Sequence, residues 1–321
     1  MSLPVYFAPL EGVTDAAYRR VHHAHFSGVS RYYIPFISPT QTLTLNSREL
    51  SNVSPEQNVG IHAVPQVLTR NAEHFIWAAR VLWDMGYDEV NLNTGCPSGT
   101  VTAKGKGAGM LARITELEMF LDEVYAQSPI PISIKTRVGY ASPDEFDRIL
   151  ELFSQYPVRE LIIHPRTREQ FYKGTPHREV YAQAFSKTRL PLVYNGDLFT
   201  AESCHAIEQR CPQTRALMLG RGLIANPALA REYAGGAPLE IGELRAFHDD
   251  LLREYIEKYP RNVVVARIRE IMKNVACCFE NPEKPLKAIR KANSLPQYEE
   301  AVNRLFDEHA LQASPCFSSD L

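Results

Sequence analysis

"EVNLNTGCPSG" (residues 89–99) is an apolar-alternating run, with Val90 and Leu92 on one side, that stops abruptly at the corner Gly95-Cys96-Pro97. Alternation with a period of two marks a β-strand, and Gly and Pro together mark its end. Seven further short β-rich runs recur: "VYFAPL" (5–10), "RYYIPF" (31–36), "VPQVLT" (64–69), "ISIKTR" (132–137), "ELIIHPR" (160–166), "LVYNGD" (192–197) and "ALMLGR" (216–221). They recur roughly every 25 to 45 residues, room for one helix and two loops each. The intervening segments carry helical signals. In "NAEHFIWAARVLWDMG" (71–86), Phe75, Ala78, Ala79 and Leu82 fall on one face, while Ser142-Pro143 reads as an N-cap followed by a first-turn proline. Strands alternating with helices imply a parallel sheet, and eight such units predict an α/β fold of the closed (β/α)8 TIM-barrel class. The rival, an open doubly wound sheet, lacks its glycine-rich turn after the first strand.

Around "YAGGAPLE" (233–240) the strand signals cease, and helical patterns follow at 242–259, 263–279, 285–292 and 296–311. A barrel domain over 1–237 and an all-α helical domain over 238–321 are therefore expected. The chain has 321 residues, 45% hydrophobic and 22% charged, an ordinary globular balance. It has no apolar run of the ~20 residues that a membrane span needs and no N-terminal targeting pattern. Cys96, Cys204, Cys211, Cys277, Cys278 and Cys316 show no CxxC spacing, which points to free thiols in a reducing, cytoplasmic compartment and to no metal site. The net charge of −2 argues against coating nucleic acid by bulk charge. A monomer is expected.

In a barrel the chemistry gathers at the C-terminal ends of the strands. That ring here comprises Pro9-Leu10-Glu11, Gln66, Asn93 with Cys96, Lys135 with Arg137, His164 with Arg166, Asn195-Gly196-Asp197 and Gly220-Arg221. A Gln or Asn at a strand end often only caps a loop. Lys135 interrupts a strand where an apolar side chain would pack, so it needs an anionic partner or a polar cavity. The turns "YNGD" and "LGRG" put glycines where a backbone can approach a ligand, at the loops that often bind phosphate in barrels. A phosphate there, with Lys135, Gln66 and Asn93 lining the centre, suits a long phosphorylated cofactor such as FMN.

Taken in order, "FAPLEGVTD" (7–15), "NLNTGCPSGTVTAKGKGAGML" (91–111), "IKTRVG" (134–139), "IIHPRT" (162–167), "YNGDLF" (194–199) and "LGRGLIANP" (219–227) resemble the motifs of tRNA-dihydrouridine synthases. The resemblance implies reduction of the C5–C6 double bond of a tRNA uridine by FMN, recharged by NADPH. It implies that Pro9, Leu10 and Glu11 border the flavin ring and that Gln66 bonds its pyrimidine edge. Lys135 would sit where negative charge develops in reduced flavin, and Asn195, Gly196, Asp197, Gly220 and Arg221 would hold the ribityl phosphate. His164 would lie between cofactor and substrate. Asn93, Arg137 and Arg166 would face the substrate, with Arg166 on a tRNA phosphate or the uridine. Two positions depart from the family pattern: Gly99 stands where a Lys is frequent, and Pro165 where Gly is usual.

Reducing such a bond needs a hydride at C6 and a proton at C5. A thiol, with an ordinary pKa of about 8.5, is largely protonated at neutral pH and a far better acid than an alcohol. Cys96 therefore suits a general acid. A nucleophile would want a nearby base, and a metal site a second ligand at fixed spacing. An inert buried thiol is the bland alternative. The glycine-rich stretch after Cys96 is expected to be a mobile loop that closes on the substrate.

A uridine within folded tRNA must be presented unstacked. Residues 253–304 carry eleven Lys and Arg against seven Glu, a net +4, so the helical domain is the expected tRNA-binding element. Lys287 and Lys291 share a helical face with Lys284 and are the named candidates. Three other functions stay open on the residues alone: an FMN barrel acting on a free small molecule, a catalytically dead RNA-binding barrel, and a lyase using Lys135 as a Schiff-base amine.

Overall fold

The computed structural model describes residues 2–312; Cys316 and the end of the expected helical domain lie outside them. Eight strands form one closed barrel in sequence order, every neighbouring pair parallel. They are β1 (Val5–Phe7), β2 (Val29–Ile37), β3 (Ala63–Val67), β4 (Val90–Thr94), β5 (Ile132–Gly139), β6 (Leu161–Thr167), β7 (Leu192–Asn195) and β8 (Ala216–Leu219). Each coincides with an expected run. β1, β7 and β8 stop short of the expectation because Pro9, Gly196 and Gly220 already belong to the turns. β7 must end there, since Gly196 and Asp197 have φ of 148° and 45°. Pro165 removes an N–H from β6, and the β5–β6 register shifts beside it, between Arg137 and Gly139.

Alternation along the strands sorts two cores. Tyr6, Ala8, Tyr33, Val64, Ile162, Val193, Ala216 and Met218 fill the barrel interior, and a larger cluster packs the outer strand faces on the helices. The helix expected at 71–86 spans Ala72–Asp84, its first turn capped by the Asn71 side chain, which accepts from His74 N at 2.8 Å. Ser142 and Glu145 form a capping box over Pro143, as the sequence suggested.

The interior also holds an ion cluster at the N-terminal end, which the sequence did not announce. Glu89 and Glu160 have almost no exposed side-chain surface and share Arg31, at 3.1 and 3.2 Å. Arg159 reaches Glu89 at 3.1 Å, and Tyr6 donates to Glu160 at 3.0 Å. This network plugs the end of the barrel opposite the loops that carry chemistry.

After residue 240 the described elements are helices, Ile241–Lys258, Arg261–Val275, Glu283–Lys291 and Leu295–Glu308 with one 3-10 turn, and a single bridge from Phe279 to Leu311. No helix among the described residues is long and apolar enough to cross a membrane. Phe247 wedges the first of these helices against Tyr18 and Phe26, edge-on at 5.6 and 5.3 Å. The polar joint is Asp15, just after β1. Its carboxylate caps the helix Ala16–His25 through Tyr18 N at 3.0 Å, pairs with Arg267 at 2.9 Å, and accepts from Tyr255 and Tyr259. Replacing Asp15 removes a cap and leaves Arg267 without its anion. Asp15→Ala is therefore expected to destabilise the chain by about 2–3 kcal/mol, read as a lowered urea midpoint, with Arg267→Met costing less.

Candidate active site

Cys96 owes its position to three separate constraints. The Asn93 carboxamide oxygen accepts from Gly95 N at 3.0 Å and Cys96 N at 2.9 Å, closing a tight turn at the end of β4. The Cys96 carbonyl accepts from Ala108 N at 3.0 Å. Gly107, at φ 57°, lies so close that a Cβ there would stand 2.9 Å from the Cys96 oxygen and 3.0 Å from its Cβ. The segment expected to close on the substrate contains a helical turn, Gly99–Thr102, followed by a 3-10 turn, Gly107–Ala112. It folds back on the thiol, which stays half-buried.

Below the corner runs a chain of amides. Asn93 Nδ2 donates to Gln66 Oε1 at 2.7 Å, Gln66 Nε2 to Asn91 Oδ1 at 2.7 Å, and Asn91 Nδ2 to Ser133 Oγ at 2.8 Å. These residues are adjacent because the β3–β4 and β4–β5 registers pair Gln66 with Asn91 and Asn91 with Ser133. Gln66 and Asn93 thus sit at the expected strand ends, but as links in a buried network. Asn91 and Ser133 escape a reading of strand ends because they lie one layer deeper.

Beside this network a cavity opens at the barrel mouth. Pro9, Leu10, Lys135, His164, Asn195, Gly196, Asp197, Gly220 and Arg221 all line it. Glu11 does not: it pairs with Arg48 at 2.7 Å and faces a neighbouring cleft between β1 and the helical tail. The cavity wall has little tolerance for added bulk at Gly196. A Cβ at Gly196 would lie 3.1 Å from the His164 ring, on a backbone at φ 148°, whereas one at Gly220 would meet Ala8 at an ordinary contact distance of 3.4 Å. Tyr172, from the loop after β6, lines the same cavity, with the Arg137 and Arg221 guanidiniums 5.4 and 4.8 Å from its ring centroid. Loop residues carry no periodicity, so no sequence signal singles Tyr172 out.

Two arginines expected to face the substrate are otherwise engaged. Arg137 is 1% exposed and donates to the carbonyls of Gly95 (2.9 Å), Thr167 (2.8 Å) and Phe171 (2.6 Å). Arg166, also 1% exposed, forks onto Asp197 at 2.8 and 2.5 Å and reaches the Lys173 and Gly174 carbonyls. Alternation along β5 and β6 turns both inward with Lys135 and His164, so they hold loop carbonyls and Asp197 while their charge still acts on the His164 ring. Lys287 and Lys291 lie on the exposed side of the helix Glu283–Lys291, whose Leu286 and Ile289 are buried.

The electrostatics of the mouth are lopsided. Lys135, Arg137, Arg166 and Arg221 surround it, and Asp197 is the carboxylate among its lining residues, bound by both Arg166 and Arg221. Among the described residues the Lys135 ammonium makes no hydrogen bond or ion pair. Burial, reinforced by Arg137, lowers its pKa to about 7. His164 is held well below its ordinary value by burial and then by the surrounding cations, so it is a neutral imidazole. A partly buried ammonium without a partner, in a pocket with surplus positive charge, is an arrangement that an anionic ligand stabilises.

Fold and mouth together define a (β/α)8-barrel enzyme with an anion-favouring cavity beside a positioned thiol. The chain belongs to the dihydrouridine synthase family, whose model matches residues 6–314. It is 24% identical over 291 residues to tRNA-dihydrouridine synthase B of Pasteurella multocida, covering 89% of this chain and 81% of that one. With the tRNA-dihydrouridine(16) synthase of Pseudomonas putida it shares 27% over 266 residues, 79% of this chain and 80% of the other. Among solved structures, morphinone reductase superposes with a TM-score of 0.53 at 14% identity, covering 74% of this chain and 87% of its own. That likeness speaks for the barrel.

The Lys135 shift carries a sign that can be measured on the cofactor-free protein. Its folded pKa lies below the unfolded one, so between about pH 7 and pH 10.4 the unfolded chain holds the extra proton. Stability contributed by this group therefore rises with pH across that window, by at most about 1.4 kcal/mol per unit. Lys135→Met is expected to abolish the rise and to be the more stable form at pH 7, read from urea midpoints at pH 7, 8.5 and 10.

Proposed function

We propose that this chain reduces the C5–C6 double bond of a uridine in tRNA, using FMN as its resident cofactor and NADPH as the reductant, with Cys96 protonating C5. The observation that carries the reading is the pairing of a thiol fixed on three sides with the unpaired Lys135 ammonium on the adjacent strand. Asn93 and Lys135 are register partners, so the ammonium stands beside the residue whose side chain closes the Cys96 turn.

The cavity suits a planar, phosphorylated, anionic cofactor. Gly196 and Gly220 leave walls that a side chain would fill, and Lys135 is a cation awaiting an anion. When bound, FMN would supply the hydride for C6. Pro9 and Leu10 would border it, Lys135 would meet developing negative charge, and the Asn195–Asp197 and Gly220–Arg221 turns would hold its phosphate. Asn195 already braces these two turns by donating to Met218 O at 2.8 Å.

The chain's own residues manage the proton. Asn93 and the Ala108 amide hold the Cys96 backbone, so the thiol meets a substrate carbon with little reorganisation. His164, kept neutral by burial and its cationic surroundings, accepts from Arg166 at Nε2 (3.2 Å), which leaves Nδ1–H as the donor it can offer to the uracil edge. Arg137 and Arg166 act as positioning residues, fixing the loops after β4, β6 and β7. The tail, residues 238–321, is read as the RNA-binding domain of a cytoplasmic monomer. Its exposed Lys287 and Lys291 contact phosphate.

Two experiments bear on this. Cys96→Ala should keep bound flavin and its reduction by NADPH while dihydrouridine formation falls by about 100-fold or more; undiminished uridine reduction would refute the role. Lys287→Ala and Lys291→Ala should each weaken tRNA binding and flatten its salt dependence by about one unit of slope, measured by fluorescence anisotropy across a salt series.

A further inference from the structure

Phe171 combines two properties that a fold would not select. Its φ is 52°, in the left-handed region that bulky side chains rarely adopt, and its ring is 40% exposed. A half-exposed ring buries little, so the strained conformation is not offset by packing. Its surroundings nonetheless fix it. The Phe171 carbonyl accepts from Arg137 at 2.6 Å. The Arg168 guanidinium lies 5.0 Å from the ring centroid, with Tyr140 at 5.4 Å from the same cation. Arg168 is itself tied to the Cys96 segment through Thr102 Oγ1 at 3.0 Å. Arg166 anchors the following residues through the carbonyls of Lys173 and Gly174.

A rigid, half-open aromatic ring backed by a cation therefore stands on the rim. Its neighbour Tyr172 lines the cavity, but Phe171 lies just outside it. Whatever meets Phe171 is thus next to the reacting group. We propose that Phe171 is a stacking platform for the nucleobase adjacent to the target uridine, holding that neighbour aside while the uridine enters the cavity. A base has the flat π face that an open ring accepts, and stacking of this kind tolerates any base. The proposal rests on the reading of RNA as substrate.

Three variants test it against unmodified tRNA transcript. Phe171→Gly should raise Kd about 10-fold, equivalent to ~1.4 kcal/mol. Its slope of log Kd against log salt should be that of the wild type, because no charge is removed. Its Tm should be equal or higher, because glycine accepts the backbone angle. Phe171→Leu, which keeps apolar bulk, should bind nearly as weakly, and Phe171→Trp should bind within about twofold of the wild type. Wild-type affinity in Phe171→Gly, or equal affinity in the Leu and Trp variants, overturns the platform. So does a loss of affinity accompanied by a lowered Tm, which would make the ring a prop for its loop. A wild-type chain that fails to bind the transcript overturns the RNA reading itself and this inference with it.

Discussion

The guanidinium of Arg137 joins the ends of three strands. It starts from β5 inside the barrel and donates to Gly95 beside the thiol, to Thr167 at the end of β6, and to Phe171 on the rim. Carbonyls at strand ends have no ladder partner, and a buried carbonyl without one is costly. One planar cation meets three of them at once, which fixes the spacing between the Cys96 corner and the β6 loop. The cation itself is strained electrostatically: burial brings its pKa down to about 10. Its position is sustained by the number of oxygens around it.

The two ends of the barrel treat charge differently. At the N-terminal end, Arg31, Arg159 and Arg215 meet Glu89, Glu160 and Asp88, and Tyr6 contributes its hydroxyl. At the mouth the cations outnumber their carboxylate, and among the described residues Lys135 has no hydrogen-bond or ion-pair partner. A balanced buried network is complete by itself, whereas an unbalanced one acquires its counter-charge from a ligand. This is the physical sense in which one end of the barrel maintains the fold and the other receives a cofactor.

Much of this was legible in the residues. Short β-rich runs separated by helical patterns located every strand, and the polar residues at their ends located the mouth. Sequence places a side chain on a strand, and alternation gives its face, but neither says which atoms already have partners. Arg137 and Arg166 look like substrate contacts until their carbonyl and carboxylate partners are seen, and Glu11 points toward the tail because Arg48 draws it there. Glu89 and Glu160 sit at strand starts, where a carboxylate usually faces solvent. Tyr172 and Phe171 belong to a loop whose course is set by Arg137 and Arg166, both distant in the reading of any one segment.

Asp15 ties the tail to the barrel through the same carboxylate that caps the helix after β1. One side chain therefore serves both regions: the helix takes its cap from it, and the tail takes the partner of Arg267 and of two tyrosines. Phe247, packed edge-on against Tyr18 of the same helix, adds an apolar contact across that joint. A carboxylate shared in this way makes the first barrel helix and the tail answer to one change: removing it loosens both at once.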